Sequence, residues 1–343
     1  MSDLVLVTGA SGYVAGHIIL QLLVRGYRVR GTIRSLTRAD EIRHWLEKAH
    51  GASISKEALD LVEADLNSDR GWDTAMQGVR YALHVASPFP PSIPKNVDEL
   101  IAPARDGTLR VMYAASRAKV ERVVQTSSTV AIAYGHDNLS GRVFTEKDWT
   151  NSDHPEINAY AKSKTIAERA AWAELAKLNR AIEWVVINPG GVLGPVFDKD
   201  ASASVDIVKK LLDKSVPGLP RFGFPIVDVR DLADLHVRAM LDPKAAGERF
   251  IATGQFVWMA DIAAMLKTHL GARGKAVPSR KLPDFMVRLV GLFDPVVRSQ
   301  LHELGKVRNL SSDKAIKILG WKQRPLQETI IDTATSLFAV GAV

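Results

Sequence analysis

Short β-branched runs alternate with amphipathic segments along the first half of the chain, which predicts a doubly wound α/β fold: a parallel sheet covered by helices on both faces. Two further observations support this class. A glycine-rich turn, "TGASGYVAG", joins the first apolar run to the first amphipathic segment. In addition, 46% of the 343 residues are hydrophobic, enough to bury a large core in two domains or in one enlarged domain.

The run "LVLVTG" (4–9) is apolar and ends on glycine, as a strand buried on both faces requires. The segment "YVAGHIILQLLVRGY" follows, with Ile18, Leu22 and Leu23 at helical spacing. Further strands are predicted at "YRVRGTIR", "ALDLVEADL", "YALHVAS", "ERVVQTSS" and "IEWVVINPG". Between the last two, "PEINAYAKSKTIAERAAWAELAKLNR" (155–180) is rich in Ala, Glu, Lys and Arg, opens on Pro155 and contains no later breaker, which predicts a helix. After Pro189, "NPGGVLGP" and "PGLPRFGFP" interrupt the alternation, while "IVDVRDLADLHVRAML" and "RFIATG" predict a helix and a strand returning to the sheet. From 255 onward the chain reads as helical patches joined by Pro and Gly. The expected organisation is a dinucleotide-binding Rossmann domain at 1–188 and 224–254, with a smaller, mostly helical substrate-binding domain at 189–223 and 255–343.

Composition excludes several classes of function. The formal charge is +7, but the basic residues are interleaved with acids along the chain, so no nucleic-acid partner is expected. Arg28, Arg30, Arg34, Arg38 and Arg43 do crowd one stretch, which points to a compact anionic ligand. The absence of cysteine removes disulfides, thiol catalysis and thiolate metal sites, and the nine histidines lack any metal-ligand spacing, so no metal is expected. No run of 18 apolar residues occurs and no signal-peptide pattern opens the chain, so the expected location is cytoplasmic, with no membrane partner. The apolar stretch 282–301 is interrupted by Asp and Arg and reads as a helical lid or core segment.

The first turn carries ligand-binding chemistry. Gly9, Gly12 and Ala15 permit a tight bend and a close approach of pyrophosphate to the backbone. The positive end of the following helix, with Ser11, Tyr13 and Val14 around it, would meet that charge. After the second strand such a fold chooses between a carboxylate for a ribose 2'-hydroxyl and a cation for a 2'-phosphate. Here Arg34 stands where the acid would be and Arg38 follows, so NADP is expected over NAD. Asp65, with Leu66 beside it, ends the third strand and could accept from the adenine amino group; the alternative is a surface turn. "HVASPFPPSIPK" follows the fourth strand, where strand order should reverse. Val85, Ala86 and Ser87 would pass under the cofactor and Phe89 would face the substrate, or the stretch is only a proline-stiffened loop. In "AYAKSKT", a helix turning about 100° per residue brings Lys164 to the face of Tyr160 and sends Lys162 to the opposite, solvent face.

These residues resemble the extended short-chain dehydrogenase/reductase family. The likeness rests on TGxxGxxA at the start, Ser128 at a strand end in "VVQTSS", and Tyr160, Ser163 and Lys164 on the next helix. "VRGTIRS", "HVASPF", "NPGGVLGP", "DVRDLA" and "LGWKQRPLQETIIDTATSL" are similar to its dihydroflavonol and carbonyl (aldehyde, ketone) reductase branch. The resemblance implies NADPH-dependent reduction of an aldehyde or ketone to an alcohol, with Ser128, Tyr160 and Lys164 as catalytic residues. Tyr160 would give a proton to the carbonyl oxygen and Ser128 would hydrogen-bond that oxygen. Lys164 would hold the ribose hydroxyls and, as an ammonium, stabilise the phenolate. It also implies cofactor contacts from Thr126, Val192 and "NPGG", which contains Pro189 and Gly190. Plant dihydroflavonol reductases carry a substrate-gripping asparagine where this chain has Ala133, so a less polar carbonyl compound is expected. Phe222, Phe224, Phe285 and Phe293 are candidates for an apolar pocket.

Two other readings use the same features: a nucleotide-sugar epimerase or dehydratase, and a non-catalytic dinucleotide sensor. Val130 and Ala131 follow Ser128-Thr129 and cannot carry protons in an elimination, and a sensor has no need of Ser128, Tyr160 and Lys164 in register. Oligomeric state is not encoded in any readable pattern.

Overall fold

The computed structural model describes residues 3–87, 98–178, 182–199 and 202–343. In chain order the first half contains β1 (Leu4–Val7), α1 (Tyr13–Val24), β2 (Arg28–Ile33), α2 (Ala39–His50), β3 (Leu59–Glu63), α3 (Trp72–Met76), β4 (Tyr81–His84), α4 (Asp98–Arg117), β5 (Arg122–Thr126), β6 (Val143–Phe144) and α5 (Ala159–Lys177). The second half adds β7 (Glu183–Pro189), β8 (Gly191–Leu193), α6 (Ala203–Leu212), β9 (Gly223–Asp228), α7 (Val229–Leu241), β10 (Arg249–Ala252), β11 (Phe256–Trp258) and α8 (Met259–His269). It closes with α9 (Asp284–Val290), α10 (Pro295–Gln300), β12 (Asn309–Leu310), α11 (Asp313–Leu319) and α12 (Leu326–Ala339).

Seven strands form one parallel sheet in the order β10-β7-β5-β4-β1-β2-β3. The chain builds outward from β1 to β3, then returns to place β4 on the other side of β1. This reversal leaves a crevice at the carboxyl ends of β1 and β4, where doubly wound folds bind ligands. The strands are apolar on both faces because each face is covered. One side packs Val5, Val7, Ile18, Ile19, Leu22, Leu232 and Leu235, chiefly from α1 and α7; the other packs Leu6, Ala82, Val111, Met112, Val123 and Trp184.

A three-stranded sheet, β11-β9-β8, and helices α6, α8 and α12 surround a third core that includes Leu193, Val208, Ile226, Ile262 and Leu337. Within the expected Rossmann span 224–254, β10 joins the large sheet while β9 pairs with β8 and β11. Gly194 N–H donates to Thr333 Oγ1 at 2.7 Å, tying α12 to the end of β8. No helix among the described residues is long and apolar enough to cross a membrane. The 282–301 stretch forms α9 and α10 and leaves Phe285 69% and Phe293 83% exposed, so these two rings line no enclosed pocket and the segment is not core.

Candidate active site

The turn after β1 is shaped by one glycine. Gly9 has φ +70°, and a Cβ there would meet the Ala86 Cβ at 3.0 Å. Both strained backbone and lack of space therefore favour glycine. Gly12 caps α1 without a side-chain hydrogen bond, and the first turn of that helix contains no acid. Ser11 and Gly12 are exposed, while Tyr13 and Val14 are half-buried. An uncapped, exposed helix start with no negative side chain is suited to an anion. Ala15 is buried, and the demand for glycine passes to Gly16, where a Cβ would strike the rings of Phe197 and Trp45.

Thr8 fixes the opposite wall. Its hydroxyl oxygen accepts from the N–H groups of Val85 (3.0 Å) and Ala86 (2.9 Å), and the hydroxyl donates to His84 Nδ1 at 3.0 Å. This orients the chain leaving β4 against the glycine turn. Val85 and Ala86 are half-buried and Ser87 is exposed. Phe89 lies outside the described residues.

Of the clustered arginines, three are committed to the protein. Arg30 pairs with Asp60 at 2.9 Å and donates to the carbonyl of Gln77. Arg43 donates to the carbonyls of Ile54 and Leu59, and Arg38 makes a two-pronged pair with Glu41. The cluster is thus mostly structural. Arg34, immediately after β2, is exposed and has no ion pair among the described residues. Asp65 turns one carboxylate oxygen onto the N–H of Asn67 at 2.9 Å, and its carbonyl accepts from Trp72 Nε1. Leu66 is buried beside Gly107.

The catalytic candidates meet at the ends of β5 and the start of α5. Asn158 caps α5 by accepting from Ala161 N–H at 2.8 Å, so the helix begins just ahead of Tyr160. The Tyr160 phenol hydrogen-bonds Ser128; burial pushes its pKa above the ordinary tyrosine value, while the Ser128 bond pulls it down. The lowering by Lys164 that the sequence led us to expect is not among the influences on the phenol here. Lys164 lines a narrow pocket with His84, Ala86, Ser87, Thr126 and Ala167. Burial lowers its ammonium pKa to about 8, and Glu168 opposes that shift. Lys162 is half-buried rather than fully exposed.

Thr126 donates to His236 Nε2 at 2.7 Å, because the other ring nitrogen of His236 gives its proton to the Leu232 carbonyl at 2.8 Å. Desolvation lowers the pKa of this histidine to about 4, so it is a neutral acceptor. Pro189 ends β7, Gly190 N–H donates to the Ala252 carbonyl at 3.1 Å, and Val192 lies half-buried in β8. Among the described residues no group of three or more His, Asp or Glu is placed to hold a metal ion. A separate surface hollow near Gln21 and Arg25 is lined by Arg230 and Arg324, both committed to carboxylates: Arg230 to Asp228 and Asp332, Arg324 to Asp231.

Comparison with known proteins shows the family. The model of the NAD dependent epimerase/dehydratase family matches residues 5–252. The chain belongs to this family. It is the extended branch of the short-chain dehydrogenases/reductases. A relative named cinnamoyl-CoA reductase CAD2, from Medicago truncatula, is 32% identical over 98% of this chain and 96% of its own length. The NADPH-dependent methylglyoxal reductase GRE2 of Saccharomyces cerevisiae is 30% identical over 97% of each chain. The crystal structure of yeast methylglyoxal/isovaleraldehyde reductase Gre2 complexed with NADPH superposes with a TM-score of 0.80, covering 99% of this chain and 100% of that one at 27% identity.

In this extended short-chain reductase the proposed substrate residues divide. Phe222 and Phe224 are half-buried with ring centroids 6.2 Å apart, at the start of β9. The Ala133 side chain is wholly buried among Ile132, Phe144 and Ile251, and its carbonyl accepts from Arg308 at 2.9 Å, so it does not line an open surface. Sequence reasoning assigned no role to Thr8, His84, His236, Glu168 or Arg249, and took Asn188 only as part of the NPGG turn, not as a partner of Glu168. Thr8 stands within the quoted glycine motif and Asn158 is a recognisable helix cap. The others act through partners far away in the chain, which no local pattern reports.

Proposed function

We propose that this protein reduces a small-molecule aldehyde or ketone to the alcohol with NADPH, Tyr160 supplying the proton. The observation that carries this reading is the hydrogen bond between the Tyr160 phenol and Ser128, with Lys164 one helical turn away in the pocket beside Ala86 and Ser87. The full-length relationship to proteins named as an NADPH-dependent methylglyoxal reductase and a cinnamoyl-CoA reductase supports the reaction class and the cofactor.

The residues present fit NADP. The open start of α1 and the crowded Gly9 turn leave room for a pyrophosphate, and Arg34 offers a cation with no competing carboxylate. Gly9, Ser11, Gly12, Tyr13 and Val14 would hold the pyrophosphate end, Arg34 the 2'-phosphate and Asp65 the adenine. Val85, Ala86, Ser87, Thr126, Pro189, Gly190 and Val192 would flank the nicotinamide half. Bound there, the cofactor supplies hydride to the carbonyl carbon.

The remaining chemistry belongs to the chain. A phenol held protonated at neutral pH is the correct form for a donor, and Ser128, already bonded to Tyr160, can share the same carbonyl oxygen. Lys164 places positive charge one turn from the phenol that becomes a phenolate. In this reading the large sheet holds the dinucleotide, and the small sheet with its helices holds the substrate, Phe222 and Phe224 presenting apolar surface to it. Proton-transfer chemistry for elimination is not supported, since Val130 and buried Ala131 follow Ser128-Thr129.

The decisive experiment is Tyr160→Phe, assayed against a panel of aliphatic and aromatic aldehydes and ketones. Turnover should fall by roughly 10²–10⁴-fold while NADPH still binds, because only the proton donor is removed. Near-normal turnover, or turnover of a nucleotide sugar by the unmodified protein without net cofactor consumption, would overturn the reading.

A further inference from the structure

A carboxylate is buried one helical turn beyond Lys164. Glu168 has no solvent exposure and accepts from Arg249 Nε at 2.6 Å, Asn188 Nδ2 at 2.8 Å and the Ser127 hydroxyl. Its partners stand on β10, on β7 and just after β5. Asn188 also donates to the Ser128 carbonyl at 3.2 Å. Arg249 is held in turn by the carbonyls of Glu146 and Asp148, with its guanidinium 3.7 Å from the centre of the Trp149 ring.

Stability alone is a poor reason for such a group. A buried ion pair costs desolvation on both sides, and apolar replacements of similar volume are often neutral or stabilising. Glu168, however, has a second cation within its field. Lys164 lies four residues earlier on the same helical face, and Glu168 acts to keep it charged. Among the described residues, the Lys164 pocket is lined from β4, β5 and α4 by His84, Gln125, Thr126, Ala104 and Thr108, none of them anionic. His84 is neutral, its pKa lowered to about 3 by burial and by Lys164 itself. Tyr160, one turn earlier on α5, is a protonated phenol, and Arg249 is the other cation on the carboxylate.

We propose that Glu168 is a positioning residue of the site, the fixed counter-charge that holds Lys164 as an ammonium inside the protein. The proposal rests on the assignment of Lys164 to the reductase site, but the charge of Lys164 can be read without turnover. In protein labelled with 13C at lysine Cε, the Lys164 resonance is identified by its loss in Lys164→Ala and titrated. In Glu168→Gln its midpoint should fall by about one pH unit or more, and the basic limb of kcat/KM should move down with it. Glu168→Gln/Arg249→Gln leaves no unpaired buried charge and should show a fall of the same sign but smaller, since the positive charge of Arg249 is removed with the carboxylate; it keeps the test open if the single variant does not fold. A lowered melting temperature with an unmoved Lys164 midpoint in either variant would mean a purely structural role and would overturn the proposal. An unmodified protein that reduces no carbonyl compound would instead sink the reductase reading, leaving the midpoint measurement to stand by itself.

Discussion

At Tyr160 two influences oppose each other: burial raises the phenol's pKa and the Ser128 hydrogen bond lowers it, with burial the larger. At Lys164 burial again dominates and lowers the ammonium pKa to about 8. Reduction that needs this ammonium should therefore lose kcat/KM as pH rises through about 8, a limb visible in a pH–rate profile with NADPH saturating. Lys164→Ala should impair both NADPH binding and turnover, whereas Lys162→Ala should change each by about twofold or less, since Lys162, though half-buried, lies on the face of α5 opposite Tyr160. Equal effects of the two changes would contradict the helical phase. Arg34→Ala should raise the KM for NADPH by roughly ten- to a hundredfold with kcat nearly unchanged, because a charge-assisted contact to the 2'-phosphate is present in ground and transition states alike. Comparing the variant with NADPH and NADH checks the cause; an equal loss with both cofactors would place Arg34 elsewhere.

The β1–turn–α1 unit was legible from one short stretch of sequence because each of its requirements is local: an apolar run, a positive φ at Gly9, and a helix start free of acid. Gly9→Ala tests both demands of that turn. Strain at φ +70° and contact with Ala86 should cost about 1–3 kcal/mol and abolish tight NADPH binding; calorimetry and thermal melting measure the two effects separately. Helix α5 was equally legible, and its phase brings Tyr160 and Lys164 to one face. The arginine cluster was not. Alternation of side chains along β2 and pairing with β3 direct Arg30 to Asp60, and the fold of the following loop closes Arg43 on backbone carbonyls. A count of charges in a window contains none of that information. Likewise Ala133, a candidate substrate residue by its position in the sequence, is wholly buried, and Arg308, 175 positions later, closes over its carbonyl.

Across the whole molecule, buried neutral histidines link the fold to pH. His17, His84 and His236 have pKa values lowered to about 4, 3 and 4, chiefly by desolvation. Each lies below its unfolded value, so the unfolded chain binds more protons in the interval between. Their contribution to stability is present above about pH 6.5 and is lost as pH falls toward 4. Melting temperature should accordingly drop between about pH 7 and pH 5, before most carboxylates titrate. A flat profile over that range would contradict the buried, neutral assignment.

By itself the sequence determined the class of fold, the glycine turn, the Tyr160/Lys164 phase and the cation at Arg34, because these depend on backbone preference and periodicity within a few residues. Only the tertiary structure decided which arginines are committed to protein partners, which phenylalanines face solvent and what surrounds Lys164. Those outcomes turn on strand order: β5, β7 and β10 become neighbours across long stretches of chain, and their ends bring Ser127, Asn188 and Arg249 to Glu168. A buried charge is tolerated only where such partners converge, and convergence is a property of the assembled sheet.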